Sequence, residues 1–526
     1  MNLIKNKINT FFYIFLISFL LFGFYLSLNT GISHDEFHEE LYWNFNKKIV
    51  INFFYGNFDY QSEFRDKFYG IGFQIISQPL QALIQKIIPF FYYVDNYGAK
   101  LISKHAVVFI FFSISGIYFK KILYLITQNK LFSVLSTIFY LVYPYLFGHS
   151  LFNPKDIPFL SVWIILTYLN FYLINKFIDS NIIRYRDIFL FALLSAFLIS
   201  IRISGILIFL QYLVSIIILL NIKKISYQVF FKIILIKLIF FTVTVYLFVI
   251  LFYPIFWINP LLLIDAIIFM GNFPQDICTL TFGECLRAQN LDPLYIPSWL
   301  LVKLPFIVLI GLFLIPFTEK KIFNIKKNQI FVGTILGTVI LLPLIFIFLK
   351  TPLYDELRQI IFLVPLLIIL SLISLNSLLP KYNNKIISIF ILFFIYENFS
   401  LYPYQYTWFN LPTRTIDISK NFELDYWGVS GKNISKEIIK RDIKDVCLVV
   451  SPIYLVKPYL KDDKINCYYN WQTINKSIVR PFYAVQLVRN MKSSIPYGCD
   501  IIYSEFIKLN FYYKNKLKIS NLVECK

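Results

Sequence analysis

The sequence predicts a polytopic α-helical membrane protein with about eleven transmembrane helices and a small extracytoplasmic α/β domain at its C-terminal end. Three observations predict it. Apolar runs dominate the chain: 58% of its 526 residues are hydrophobic and 15% are charged, against roughly 25% charged in an ordinary soluble domain. Basic residues gather on alternate connections between those runs. All six cysteines fall in segments that this alternation assigns to the opposite face. Such a composition excludes a disordered chain, a coiled coil and a single soluble globule. The net charge of +20 is not a nucleic-acid signal, because the Lys and Arg residues come in ones and twos between apolar runs rather than in blocks.

A bilayer core about 30 Å thick needs roughly 20 apolar residues per helix. Runs at 9–29, 103–119, 131–148, 157–175, 188–201, 204–222, 231–252, 299–317, 329–349, 358–379 and 386–401 qualify. The pair 188–201 and 204–222 is separated only by Arg202 and its neighbours. With the N-terminus cytoplasmic, the cytoplasmic segments carry many lysines and arginines against only Asp179, Asp187 and Glu319, a positive-inside pattern. The reading is N-terminus cytoplasmic, C-terminus periplasmic, in a bacterial inner (plasma) membrane. Lys5 and Lys7 precede the first run as in a signal peptide, but no small-x-small cleavage site follows, so the run reads as a retained helix.

Residues 1–401 therefore form the membrane domain, with extracytoplasmic loops at 30–102 and 253–298. Residues 402–526 form the C-terminal extracytoplasmic domain. In the latter, Val446–Val450 and Cys499–Tyr503 read as strands, and Ile438, Ile439 and Ile443 mark one face of a helix. Cys278, Cys285, Cys447, Cys467, Cys499 and Cys525 are an even set in an oxidising compartment and are disulfide candidates. Cys278 and Cys285 can close a small loop; the other four allow three pairings.

Ionisable groups at a membrane face are costly, so clusters there need a reason. His34, Asp35, Glu36, His38, Glu39 and Glu40 follow the first helix directly. Ser33 or Asp35 would serve as a helix cap. Asp35 also suits a general base, with Glu36 positioning the acceptor, provided that partial desolvation raises its pKa towards the working pH. A second cluster, His149, Asn153, Lys155 and Asp156, lies between the third and fourth runs, where Pro154 and Pro158 stiffen the turn; a capped helix hairpin is the plainer explanation. Arg202 is flanked by apolar residues and needs an anionic partner: Asp35, Asp156 or a lipid phosphate. Arg358 opens a run after Tyr354, Asp355 and Glu356, and its guanidinium fork suits a phosphate. Four loops thus bring acids and bases to one membrane face.

These motifs, in order, resemble the GT-C superfamily of polyprenyl-phosphate-sugar-dependent glycosyltransferases, in particular the family 39 branch of protein O-mannosyltransferases and lipid A aminoarabinose transferases. The acidic pair Asp35-Glu36, the stretch Phe147 to Phe159, Arg202 to Gly205, Tyr295 to Pro305, Tyr354 to Arg358, Tyr402 to Tyr406 and Phe422 to Gly428 carry the resemblance. It implies a sugar transferred from a polyprenyl-phosphate donor to a protein, glycan or lipid acceptor on the periplasmic side, in contact with membrane lipids and without nucleic acid. Asp35 would be the base and Asp156 a second acidic site. Arg202, Arg358 and Lys155 are physical candidates for the donor phosphate, with His34, His149 and Asn153 as auxiliaries. The acids permit a divalent metal but do not require one. Glu356 and Gln359 stand where the resemblance leads one to expect Gly and His. A multi-pass transporter or lipid flippase is the rival reading, although internal repeats and mid-bilayer charges are absent from the sequence.

Overall fold

The computed structural model describes residues 2–58, 64–180, 183–224, 226–322, 325–461, 465–470, 478, 480–487, 495 and 497–526. The first long helix, α1 (Asn2–Asn29), is followed by α2 (His34–Phe54) and α3 (Gly72–Ile87), which occupy the first loop. Then come α4 (Asn96–Thr127), α5 (Lys130–Val142), α6 (Pro144–Ser150), α7 (Asp156–Ser180), α8 (Tyr185–Ile201), α9 (Ile208–Lys223) and α10 (Tyr227–Phe252). The second loop holds α11 (Ile255–Ile258), α12 (Leu262–Gly271) and a hairpin of β1 (Cys278–Thr281) and β2 (Glu284–Arg287). Three short helices, α13 (Tyr295–Lys303), α14 (Phe306–Phe313) and α15 (Ile315–Ile322), lead to α16 (Lys326–Phe348), α17 (Val364–Leu378) and α18 (Asn383–Leu401).

Among the described residues, eight helical segments are long and apolar enough to cross a membrane, or nine if the bent α5–α6 pair is one span. The other runs among the expected eleven form shorter or broken helices, and the sequence explains each difference. Pro144 opens α6 and bends the pair by 62°. Pro305 and Pro316 divide the run at 299–317 into α13, α14 and α15. The 17-residue α8 is only about 25 Å long at 1.5 Å per residue. It ends at Arg202, whose backbone is extended.

The C-terminal region adds short α19 (Ile418–Asn421), α20 (Gly431–Lys440) and a five-stranded sheet of β3 (Val446–Val450), β4 (Ile465–Tyr469), β5 (Phe482–Leu487), β6 (Cys499–Lys508) and β7 (Lys516–Cys525). The order is β4-β3-β5-β7-β6: β3 runs parallel to β4 and β5, and β7 is antiparallel to β5 and β6. The disulfides are Cys278–Cys285 across the hairpin, Cys447–Cys467 between β3 and β4, and Cys499–Cys525 between β6 and β7.

Residues 402–430 pack into the helical layer before the sheet begins. Asn410 Nδ2 donates to the carbonyls of Leu301 (2.6 Å) and Leu304 (2.9 Å) at the end of α13. Buried Arg414 pairs with buried Glu397 of α18, to which Trp408 Nε1 also donates at 2.9 Å. Two close approaches depend on glycine. A Cβ on Gly148 in α6 would lie 2.1 Å from the Tyr406 backbone nitrogen, and one on Gly31 would lie 2.3 Å from the Val429 carbonyl. Residues 402–430 thereby rest against both α6 and the start of α2, the two places that frame the charged cluster.

Candidate active site

The site starts with two helix starts. Ser33 caps α2 in a reciprocal capping box: its N–H donates to Glu36 Oε1 at 2.7 Å. The first turn then presents Asp35 on one side and Glu36 on the other. Asn153 holds the start of α7, its Oδ1 accepting from the backbone N–H groups of Lys155 (3.2 Å) and Asp156 (2.9 Å). Its Nδ2 donates to Asp156 Oδ2 at 2.9 Å.

Arg358 ties the four loops together. Its Nη2 pairs with Asp35, its Nε lies 3.4 Å from Asp156 Oδ2, and its Nη1 lies 3.1 Å from Asp355 Oδ2. Arg202 Nη2 reaches the other Asp156 oxygen at 2.7 Å. The Trp427 ring lies 4.3 Å from the Arg358 guanidinium carbon. Lys155 Nζ donates to Glu39 Oε1 at 2.8 Å and sits 4.0 Å from the Tyr69 ring centre. Asp35, Lys155, Arg202 and Arg358 face one polar cavity of about 90 Å³, with His34, Glu39, Tyr354 and Asp355 also on its wall.

This chamber abuts apolar space. Tyr69, Lys155, Arg202, Phe273 and Tyr354 also line a cavity of about 280 Å³ walled by Ile345, Phe346 and Leu349 at the end of α16. That cavity in turn shares Ile203, Ile206 and Ile267 with a third, almost wholly apolar one of about 560 Å³ between α8, α9, α10 and α12. Polar and apolar compartments therefore adjoin, with Arg202 lining both the polar chamber and the 280 Å³ cavity.

Electrostatics departs from the sequence expectation for Asp35. Burial pushes its carboxyl upward, but Arg358, with His34, Lys155 and His38, outweighs it and holds the pKa at about 2. The expected rise is thus reversed by the guanidinium. Burial pushes Lys155 down, against Glu39. Burial raises Glu356 to about 7 in spite of Lys303, whose Nζ lies 2.9 Å from Glu356 Oε1.

Asp35, Asp156, Lys155, Arg202 and Arg358 are brought together; Asn153 stands directly behind Asp156. His34 is at the chamber rim, its Nδ1 2.5 Å from the Tyr454 hydroxyl. Two expected members lie outside. Glu36 turns towards α4, where His105 Nε2 is 3.0 Å away, because its capping-box role fixes its direction. His149 is buried among Tyr145, Phe152, Tyr406 and Trp427, since the same α6 packing that needs Gly148 encloses it. Sequence reasoning missed Glu39, Asp355 and Tyr69 as members. Glu39 was findable: it is four residues after Asp35 on one helix, hence on the same face. Asp355 adjoins the Arg358 motif. Tyr69 carries no local signal.

Among the described residues, no group of three His, Cys, Asp or Glu side chains is arranged to hold a metal ion. No protein-family model matches the chain, and neither does any curated protein. Among solved structures, it is similar to the crystal structure of ArnT from Cupriavidus metallidurans in the apo state, with a TM-score of 0.49 at 10% sequence identity over 98% of each chain.

Proposed function

We propose that this chain is a membrane glycosyltransferase of the GT-C type. It moves a sugar from a polyprenyl-phosphate donor to an acceptor hydroxyl at the periplasmic face, with inversion at the anomeric carbon. The observation that carries this reading is the polar chamber lined by Asp35, Arg202 and Arg358, with Asp156 paired to both arginines, and adjoining apolar cavities. A donor with a charged head and a hydrocarbon tail matches that division, with its phosphate near Arg202 at the junction and its tail in the apolar space.

The chemistry follows from the charges. The donor phosphate competes with Asp35 and Asp156 for Arg358 and Arg202. Once Arg358 turns to the phosphate, Asp35 loses the interaction that depresses its pKa, and its proton affinity rises. Asp35 then takes the acceptor hydroxyl proton as the oxygen attacks the anomeric carbon. The bond between that carbon and the phosphate oxygen breaks, its electron pair stays on the phosphate, and the two guanidinium groups stabilise the charge. Asp156 and Asn153 keep Arg202 aligned, and Lys155 stays with Glu39 at the cavity wall.

The test uses purified protein in nanodiscs with a panel of polyprenyl-phosphate sugars. Free polyprenyl phosphate and glycosylated acceptor are followed by mass spectrometry. Release from at least one donor, lost in Arg202→Ala and Arg358→Ala, supports the reading. No release from any donor, together with lipid or solute movement across the bilayer, supports a transporter instead.

A further inference from the structure

Arg358 follows an unusual turn. Asp355 and Glu356 both have left-handed backbones, with φ of 57° and 66°. An Asp tolerates this region, but a longer side chain such as Glu does so rarely, and two in succession need support from outside. That support comes from separate elements. Thr279 Oγ1 of β1 accepts from the Asp355 N–H at 2.9 Å, and the Tyr295 hydroxyl of α13 donates to the Glu356 carbonyl at 3.1 Å. The Glu356 side chain goes inward, away from the chamber, to Lys303 at the other end of α13, and both side chains are fully buried. The Lys303 ammonium is enclosed by rings, 3.8 Å from the Phe409 centre and 5.1 Å from that of Tyr145. A buried pair of this kind is a poor source of stability compared with an apolar substitute. Its attachment to a strained turn two residues from Arg358 gives it another use.

We propose that the Lys303–Glu356 pair is a positioning clamp that holds the Asp355-Glu356 turn left-handed and so keeps Arg358 directed at Asp35, Asp156 and the donor phosphate. Its link to the donor rests on the transferase reading above; the clamp itself does not. Neither residue touches the chamber. α13 thereby acts on the donor site through the turn, and the Cys278–Cys285 hairpin supports the same turn through Thr279.

The experiment compares full-length wild type, Glu356→Gln, Lys303→Met and the K303M/E356Q double variant in nanodiscs. Hydrogen exchange is followed by mass spectrometry in a peptide covering 354–358, with one from α7 as control. Each single variant is expected to exchange several-fold faster at 354–358 with α7 unchanged, and to unfold at a lower temperature. The double variant, free of an orphaned buried charge, is expected to regain its Tm but not its protection at 354–358. Wild-type protection there in either single variant, or in the double variant, overturns the clamp. A second arm measures binding of a polyprenyl monophosphate. Tenfold or greater weakening in Glu356→Gln and in the double variant is expected, whereas wild-type affinity in both overturns the link to donor binding. If wild type binds no polyprenyl phosphate while the exchange pattern appears as expected, the transferase reading fails and the clamp stands.

Discussion

At the scale of single residues, the proposed chemistry turns on the Asp35–Arg358 contact. It joins α2 to a residue more than three hundred positions later, and it keeps Asp35 ionised at about pH 2 and above. Because the folded pKa is lower than that of a free carboxylate, this contact adds stability above pH 4 and loses it as the pH falls towards 2. Removing Arg358 should therefore do two things. Arg358→Ala should raise the donor KM at least tenfold with a smaller effect on the acceptor KM, measured by steady-state kinetics with each substrate varied in turn. It should also move the acidic limb of the pH–rate profile upward, because Asp35 loses the charge that depresses it. Glu356 has the opposite sign. Its folded pKa of about 7 exceeds the ordinary value of 4.5, so its protonated form favours the fold below pH 4.5 and that contribution is lost as the pH rises through 7. Scanning calorimetry should show wild-type Tm falling between pH 5 and 8, with a flatter profile in Glu356→Gln.

At the scale of elements, much of the site was legible because its parts are local. The Ser33 cap, the acids of the first turn of α2 and the Asn153–Asp156 turn are all short-range patterns, and the strands at Val446 and Cys499 follow from runs of β-forming residues. Where an element has two uses, the sequence could not choose between them. Glu36 reads from the sequence as positioning the acceptor beside Asp35, but the capping box with Ser33 directs it towards His105 instead. His149 resembled a site residue because its neighbours were polar, but the polar face of α6 is covered by residues 402–430. That contact is testable: Gly148→Ala places a Cβ within 2.1 Å of the Tyr406 backbone, which cannot yield as a flexible side chain could. A loss of about 1–3 kcal/mol is expected from such overpacking, read as a lower Tm in detergent. The sheet has its own staples. Reduction of Cys447–Cys467 and Cys499–Cys525 should lower the unfolding midpoint of the C-terminal region, by about 2–4 kcal/mol per bridge on typical values, with little change in the helical layer, as read by limited proteolysis.

At the scale of the whole molecule, hydropathy located the long apolar runs but not their breaks, since composition alone does not reveal that separate helices begin at or beside Pro144, Pro305 and Pro316. The convergence of four loops was also foreseen only in outline. Loops at one membrane face have to meet somewhere, but which carboxylate meets which guanidinium depends on tertiary distances that no spacing encodes. The cavities are further from the sequence still, because their walls come from helices and loops far apart in the chain. They carry a prediction of their own. If the 560 Å³ apolar cavity holds the donor tail, Ile206→Trp at its junction with the 280 Å³ cavity should slow transfer from long-chain donors at least tenfold while affecting a short-chain analogue far less. Competition assays with donors of graded chain length would measure it. Equal slowing for both lengths would place the tail elsewhere.

In the proposed reaction Asp35 performs the proton transfer while the guanidinium groups hold the phosphate, and one measurement tests this most directly. Wild type and Asp35→Asn, both in nanodiscs, are given the donor found active in the panel together with its acceptor. Donor binding and release of polyprenyl phosphate are followed on the same samples by mass spectrometry. Asp35→Asn is expected to bind the donor at least as well as wild type, because Arg358 no longer has that carboxylate to compete with the phosphate, while release falls by about 10²–10⁴-fold, the usual contribution of a general base. Release at the wild-type rate in Asp35→Asn would contradict it.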